Sequence, residues 1–499
     1  MNKNFISEVN VFMKSKLCFL LALLMLAGTA CGEAGSAGSD TTTASGDTTA
    51  AETEGYDYGG KDFGGYEFKV LNFETYCSTY MTLDIDEQTG EALDDAVFKR
   101  NSKVEEALNF ELKEEKDPNT GWNTAQIGLC DKIMQSVMAG DNAYDAAFLP
   151  VTFKSGIITD GYLLDLTQVP GMHVDEYYWD TVINDALTLE GSLYAASGPL
   201  NFCSLGLSDV LLFNEDMLTD LKLEFPYQLV RDGKWTLDEF YKYVTACTQL
   251  NGDESFAFSE GGSAVYGIGG HTDLPYALLY GAGCRLLEQN GDKIALGIES
   301  ERLYSAGEKI ANIMKKSTGQ VYFRNSDIEA DGYTVLFRND RTAFVTCELK
   351  SANVLRDMES TFGLVPMPKY DAAQDGYHTA VSYNSVFLTV PKTQPDPERA
   401  GVILDALTYE SYHSVLPVYY DVTVSQKGLR NEDSIEMLDL IYNCRGIEFP
   451  QIFGITNSFV SSFNSQVVNE ALGLASLAAS SKESINANIE KVLTAIKDQ

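Results

Sequence analysis

FKVLNF at 68–73, LDDAVFKRNSKVEEAL at 93–108, FELK at 110–113, a stretch from Thr124 to Met138 and YDAAFL at 144–149 follow one another in the chain. The first, third and last are short and apolar enough to be strands. In the second, Val97, Asn101, Val104 and Leu108 recur at helical spacing, which predicts a helix with that face buried. From Thr124 to Met138 a second helix is expected, with Ile127, Ile133, Met134, Val137 and Met138 as its buried stripe, ended by Gly140-Asp141-Asn142. Strand, helix, strand, helix, strand is the grammar of a parallel sheet with right-handed crossovers, so this stretch predicts an α/β lobe.

The same grammar continues toward the C-terminus without repeating the sequence. VLLF at 210–213 reads as a strand. Trp235-Thr236-Leu237-Asp238-Glu239-Phe240 announces a helix, with Thr236 as its cap and Trp235 stapled onto Phe240. SVFLTV at 385–390 is a further strand, and Pro395 and Pro397 lead into a helix from Glu398 to Thr408. Ile485, Ile489, Val492, Leu493 and Ile496 give the last helix its apolar face. No fixed-period repeat is present, which argues against a solenoid.

Toward the N-terminus the pattern changes. Lys14 and Lys16 lead into LCFLLALLMLA at 17–27, eleven residues that suit a signal-peptide core. A bilayer span needs ~20. Gly28-Thr29-Ala30-Cys31 resembles a bacterial lipobox, although Gly28 stands where that pattern prefers Leu. Residues 1–30 are therefore expected to be a lipoprotein signal peptide and Cys31 the acylated first mature residue. Residues 31–62 are rich in Gly, Ser, Thr, Ala and acid and read as a tether.

From Phe63 to Gln499 the chain exceeds the ~250–300 residues at which one core stops growing, so two lobes are expected. Net charge is −36, a surface that repels phosphate backbones and argues against nucleic-acid binding. Beyond Cys31, Cys77, Cys130, Cys203, Cys247, Cys284, Cys347 and Cys444 are widely scattered with no CxxC pair. They read either as small buried hydrophobes or as one disulfide plus free thiols.

Four stretches in order resemble the extracellular solute-binding proteins of ABC importers, the family that includes maltose-type carbohydrate-binding lipoproteins. They are Gly140 to Asp145; Gly191-Ser192-Leu193-Tyr194-Ala195 running on to Phe213-Asn214-Glu215-Asp216; Tyr276 to Cys284; and Arg341-Thr342-Ala343-Phe344-Val345 with Gly363 to Pro368. The resemblance implies a two-lobed periplasmic-binding-protein-like fold of class II type, with crossing strands and a ligand cleft between the lobes. On that layout, lobe 1 takes 63–190 and about 385–445, and lobe 2 takes 191–384 and about 446–499. It further implies a monomer that captures a small polar solute, a mono- or oligosaccharide, and delivers it to ABC importer permease subunits at the outer face of the bacterial cytoplasmic membrane. One departure is that Cys347-Glu348-Leu349-Lys350 stands where maltose-type relatives carry Gly and Trp, so a stacking tryptophan is missing there.

Sugars are held by aromatic faces and by planar polar groups, and open α/β sheets bind at the carboxyl ends of strands. Candidate ligand residues by position are Tyr194, Asn201, Phe202 and Ser208 in the first crossing, His271 and Asp273 before the helix at 276, Glu348 after its strand, and His378, Tyr383 and Asn384 at the return crossing. Each could instead be ordinary core or surface. Trp179 reads equally as a stacking platform or as lobe surface, Tyr419 and Tyr420 stay open, and Trp235 and Tyr280 belong to packing.

Four histidines with no HExxH and no GxSxG elbow give no support to a catalytic metal or a serine hydrolase, and no cofactor motif is present. Asp84-x-Asp86 with Gly90 fails calcium-loop spacing. A glycoside-acting enzyme needs only two placed carboxylates and remains the alternative, together with a binder of a cationic solute.

Overall fold

Strands β1 (Tyr66–Phe73), β2 (Phe110–Asp117) and β3 (Ala146–Leu149) alternate with helices α1 (Ala92–Leu108) and α2 (Thr124–Ala139), as their periodicity requires. Both β2 and β3 run parallel to β1. The structure is a computed structural model and describes residues 55–73, 82–118, 124–258, 261–290, 293–323, 332–355, 357–424, 429 and 431–499. Cys31, the apolar run before it, most of the expected tether and Cys77 lie outside the described residues.

On α1 the buried set is the expected Val97, Asn101, Val104 and Leu108, joined by Arg100. On α2 the stripe is rotated from its expected position. Ala125, Leu129, Cys130 and Ile133 are buried, whereas Ile127 is 37% and Met138 66% exposed. Residues 125, 129, 130 and 133 repeat at three- and four-residue steps, and small Ala and Cys there fit the close approach to the sheet. The larger Ile127 and Met138 had masked that face in the sequence.

After a loop containing α3 (Thr181–Leu187), a second sheet is assembled from β4 (Asp209–Asn214), β5 (Tyr266–Gly270), β8 (Val321–Phe323), β9 (Thr342–Glu348) and β10 (Phe362–Val365), in the order β10-β4-β9-β5-β8. A hairpin of β6 (Leu287–Asn290) and β7 (Lys293–Leu296) stands beside it. Helices α4 (Leu237–Cys247), α5 (Leu274–Gly281) and α6 (Glu301–Ile313) accompany this sheet. Thr236 caps α4 through the amide of Glu239 at 3.3 Å, and Trp235 meets Phe240 edge-on at 5.5 Å, so both sequence signals for this helix start are realised.

The chain then returns. β11 (Thr379–Ala380) leads to β12 (Phe387–Thr389), which joins the first sheet antiparallel to β3 and completes the order β12-β3-β1-β2. Helices α7 (Pro397–Glu410) and α8 (Leu416–Val424) pack against α1. Helix α9 (Glu432–Cys444), which the sequence layout grouped with the first sheet, packs instead on β10 of the second. Its Ser434 meets the Tyr227 hydroxyl at 3.0 Å, and Asp433 and Glu436 pair with Arg231. β13 (Arg445–Gly446) pairs parallel with β11, and α10 (Phe449–Ile452), α11 (Asn457–Val468) and α12 (Leu474–Lys497) complete the chain.

Two further findings adjust the sequence reading. Tyr56 and Tyr58 lie inside the expected tether, yet their hydroxyls donate to Asp405 and Glu410 of α7, each at 3.0 Å. The packed body therefore begins at Tyr56, because two large aromatic rings found partners that a composition argument overlooks. Cys130, Cys203, Cys247, Cys284, Cys347 and Cys444 are free, and all but Cys444 are buried. Burial pushes the thiols of Cys130, Cys247, Cys284, Cys347 and Cys444 up, Cys284 to about 11, which makes these five poor nucleophiles.

Candidate ligand site

The carboxyl ends of the parallel strands in both sheets lead to one place. β3 ends at Leu149 and runs into a turn carrying Thr152 and Phe153. In the second sheet, parallel strands β5 and β9 end at Gly270 and Glu348, and antiparallel β4 begins opposite Glu348 at Asp209. Tyr383, in the return crossing, contacts the turn after β3 and feels the charge of the second sheet. Its ring is 5.9 Å from that of Phe153 and its carbonyl accepts from Thr152 Oγ1 at 2.5 Å. Asp273 and Glu348 of the second sheet add their charge to burial in pushing its phenol up to about 12. Although it packs on Phe153, Tyr383 is 39% exposed.

The polar groups beside it are strongly acidic. His271 Nδ1 lies 3.1 Å from Asp273, whose other oxygen accepts from Asn464 Nδ2 at 3.3 Å. Glu348 pairs with Lys350 at 3.1 Å. Asp209 and Glu348 face each other across the strand pair, an unfavourable juxtaposition of like charges. Burial, Glu348 and Asp273 together hold the Asp209 carboxyl well above its usual range. Asn384 uses its Nδ2 on Ser382 at 3.2 Å, while its Oδ1 has no hydrogen-bond partner among the described residues. The arrangement is thus an accessible aromatic ring with carboxylates and an unpartnered amide oxygen nearby, suited to a solute rich in hydroxyl or other donor groups. Among the described residues no three His, Cys, Asp or Glu side chains gather in a way that would hold a metal ion.

Five of the residues expected from the sequence meet here: His271, Asp273, Glu348, Tyr383 and Asn384. The other five do not. Tyr194 is 6% exposed and packs in the core. Ser208 is wholly buried and donates to the Ser204 carbonyl at 3.0 Å, so it braces the crossing. His378 stands at the far end of α5 from Asp273, edge-on to Tyr280 at 6.3 Å, where burial, Arg285 and Arg302 push its pKa down to about 4. Asn201 and Phe202 line a separate recess with Trp179 and Tyr442. Trp179 itself is 4% exposed with its indole N–H on Asp405 at 2.9 Å, and Tyr419 stacks beneath Phe202 at 4.5 Å. Sequence reasoning missed Thr152, Phe153, Asp209 and Asn464. The strand-end rule that nominated Glu348 applies equally to the turn after β3 and would have found Phe153.

No family model matches the sequence, and neither does any curated protein. Solved structures do match. The galacto-N-biose-/lacto-N-biose I-binding protein of an ABC transporter from Bifidobacterium longum has a TM-score of 0.57 at 12% identity, over 87% of this chain and 99% of that one. An ABC substrate-binding protein of Listeria monocytogenes in complex with cycloalternan has a TM-score of 0.54 at 14% identity, over 85% and 99%. The maltose-binding periplasmic protein of Listeria monocytogenes in complex with maltose has a TM-score of 0.54 at 13% identity, over 85% and 98%. At these identities the likeness establishes the fold: a two-lobed, class II periplasmic-binding-protein architecture, as the order of sequence motifs implied.

Proposed function

We propose that this chain is the solute-capturing lipoprotein of an ABC importer and that it holds a small carbohydrate between its lobes at Tyr383. The observation that carries this reading is the position of Tyr383, an exposed ring in the crossing segment flanked by Phe153 from one sheet and by Asp273 and Glu348 from the other. The likeness to sugar-binding components of ABC transporters supports it. Lobe 1 comprises the first sheet with α1, α2, α7 and α8, and lobe 2 the second sheet with α4 to α6, α9, α11 and α12. The chain acts as a binder and not as an enzyme. The mature protein is a monomer, anchored through acylated Cys31 on the outer face of the bacterial cytoplasmic membrane, and its macromolecular partners are the permease subunits. Among the described residues no helix is long and apolar enough to cross a membrane.

Calorimetry against sugars, oligosaccharides, amino acids and polyamines tests the ligand class. Binding of a sugar that Tyr383→Ala weakens by about tenfold (1.4 kcal/mol) or more is expected for an aromatic platform. Tight polyamine binding with silence from every sugar would overturn the carbohydrate reading and point to the carboxylates instead. Labelled fatty acid should enter the wild type and not Cys31→Ala, and label retained in the variant removes the anchor.

A further inference from the structure

The turn that follows β3 is a firm base. Val151 is wholly buried, and the amides of Phe153 and Lys154 donate to the carbonyls of Pro150 at 3.0 Å and Val151 at 3.1 Å. Lys154 also pairs with Asp131 of α2. Thr152 stands at the centre of this turn, 8% exposed, with a β-branched side chain whose χ1 is restricted. Its Oγ1 donates to the Tyr383 carbonyl at 2.5 Å. On either side of Tyr383 the return crossing is tied elsewhere: the Ser382 amide donates to the Leu207 carbonyl at 2.9 Å, and the Ser385 amide to the Ser382 carbonyl at 3.0 Å. Tyr383 itself makes no other hydrogen bond, through backbone or phenol, among the described residues. Its ring meets Phe153 at a tilt of 44° and stays 39% exposed.

We propose that Thr152 is the positioning residue of the ligand site: its hydroxyl fixes the peptide that carries Tyr383 and so aims the ring at the solute. The proposal rests on the reading of Tyr383 as the solute's platform. Ser382 and Ser385 hold only the ends of the turn, so without Thr152 the peptide between 383 and 384 is free to rotate and the ring samples further orientations. An aromatic platform binds more tightly when it is held in its bound orientation beforehand, because less freedom is lost when the solute arrives. Phe153 follows Thr152 directly, so one turn sets both rings relative to each other. Thr152 acts through Tyr383 and needs no contact with the solute.

The test uses the mature chain labelled with 3-fluorotyrosine, the Tyr383 resonance being identified by its loss in Tyr383→Phe. Thr152→Val keeps the branched shape and removes the hydroxyl, whereas Thr152→Ser keeps the hydroxyl. In the ligand-free protein the Tyr383 resonance should move toward that of free 3-fluorotyrosine in Thr152→Val, as the ring leaves Phe153, and return in Thr152→Ser. The same displacement is expected in Thr152→Ala, which places no methyl against the carbonyl. A resonance that stays in place in both Thr152→Val and Thr152→Ala overturns the proposal, as does one that moves as far in Thr152→Ser. With maltose as the probe in calorimetry, Thr152→Val should raise the dissociation constant about tenfold and add nothing further in Tyr383→Ala. An equal loss in both backgrounds means that Thr152 does not act through Tyr383, and overturns the proposal too. The resonance needs no solute, so it decides the positioning role even where every sugar is silent, and the carbohydrate reading fails separately.

Discussion

Asp405 has no exposed surface, yet it remains surrounded by donors: the hydroxyls of Tyr56 and Tyr178, the indole N–H of Trp179, and the backbone N–H and Nδ1 of His173. A buried carboxylate so fully bonded is tolerated because its partners replace water. Removing it strands the buried Tyr178 hydroxyl and Trp179 indole N–H. Asp405→Ala should therefore cost about 3–5 kcal/mol in denaturant unfolding. Tyr56→Phe removes a single bond and should cost about 0.5–1.5 kcal/mol. His378 illustrates the opposite balance. With its pKa pushed down to about 4 by burial and two arginines, the folded state refuses a proton that the unfolded chain takes up near 6.5. Stability should fall as pH drops from about 6.5 toward 4, and His378→Gln should flatten that part of the profile. Thermal melts of the two proteins across this range check the sign, and parallel profiles would refute it.

Elements were more legible in the sequence than residues. Helix α4 starts where Thr236 and Trp235 signal it, and Thr236→Ala should cost about 1 kcal/mol through loss of the cap, measurable by urea unfolding. β1, α1 and β4 likewise follow from apolar spacing, because that spacing is itself the cause of their burial. α2 shows the limit: its length was clear, but Ala125 and Cys130 look unremarkable in a sequence while they pack on the sheet, and Met138 looks buried while it points out. The site divides for the same reason. Strand ends can be read from the sequence, so Glu348 and Asp273 were accessible to inference. The direction of a side chain within a crossing segment is set by pairings far away in the chain. Ser208 pairs with Val381 and Ala196 with Leu388, and these contacts turn Tyr194 and Ser208 inward while leaving Tyr383 open.

At the scale of the whole molecule, the thin connection between the two sheets matters most. β11 and β13 pair over only two residues each, and the remaining links between crossing segments include single bridges such as Ser208 with Val381. Each sheet, in contrast, is continuous and buried: β4 is covered at every position after Asp209 and β3 throughout. Deformation concentrates where few hydrogen bonds and little apolar packing must be disturbed, so the crossings should act as the hinge while the lobes move as units. In the proposed site, a solute held by Tyr383 from the crossing, Phe153 from one side and Glu348 from the other gains all its contacts only when those sides approach. Its binding energy is then differential between open and closed forms, as a population shift requires. Solution scattering should accordingly show a smaller radius of gyration once the sugar is bound. The melting temperature should rise with ligand concentration, since the solute binds only the folded chain. Tyr383→Ala should weaken both responses in step with its loss of affinity. A tightly bound sugar that raises the melting temperature without changing the radius would leave the site in place and remove the hinge.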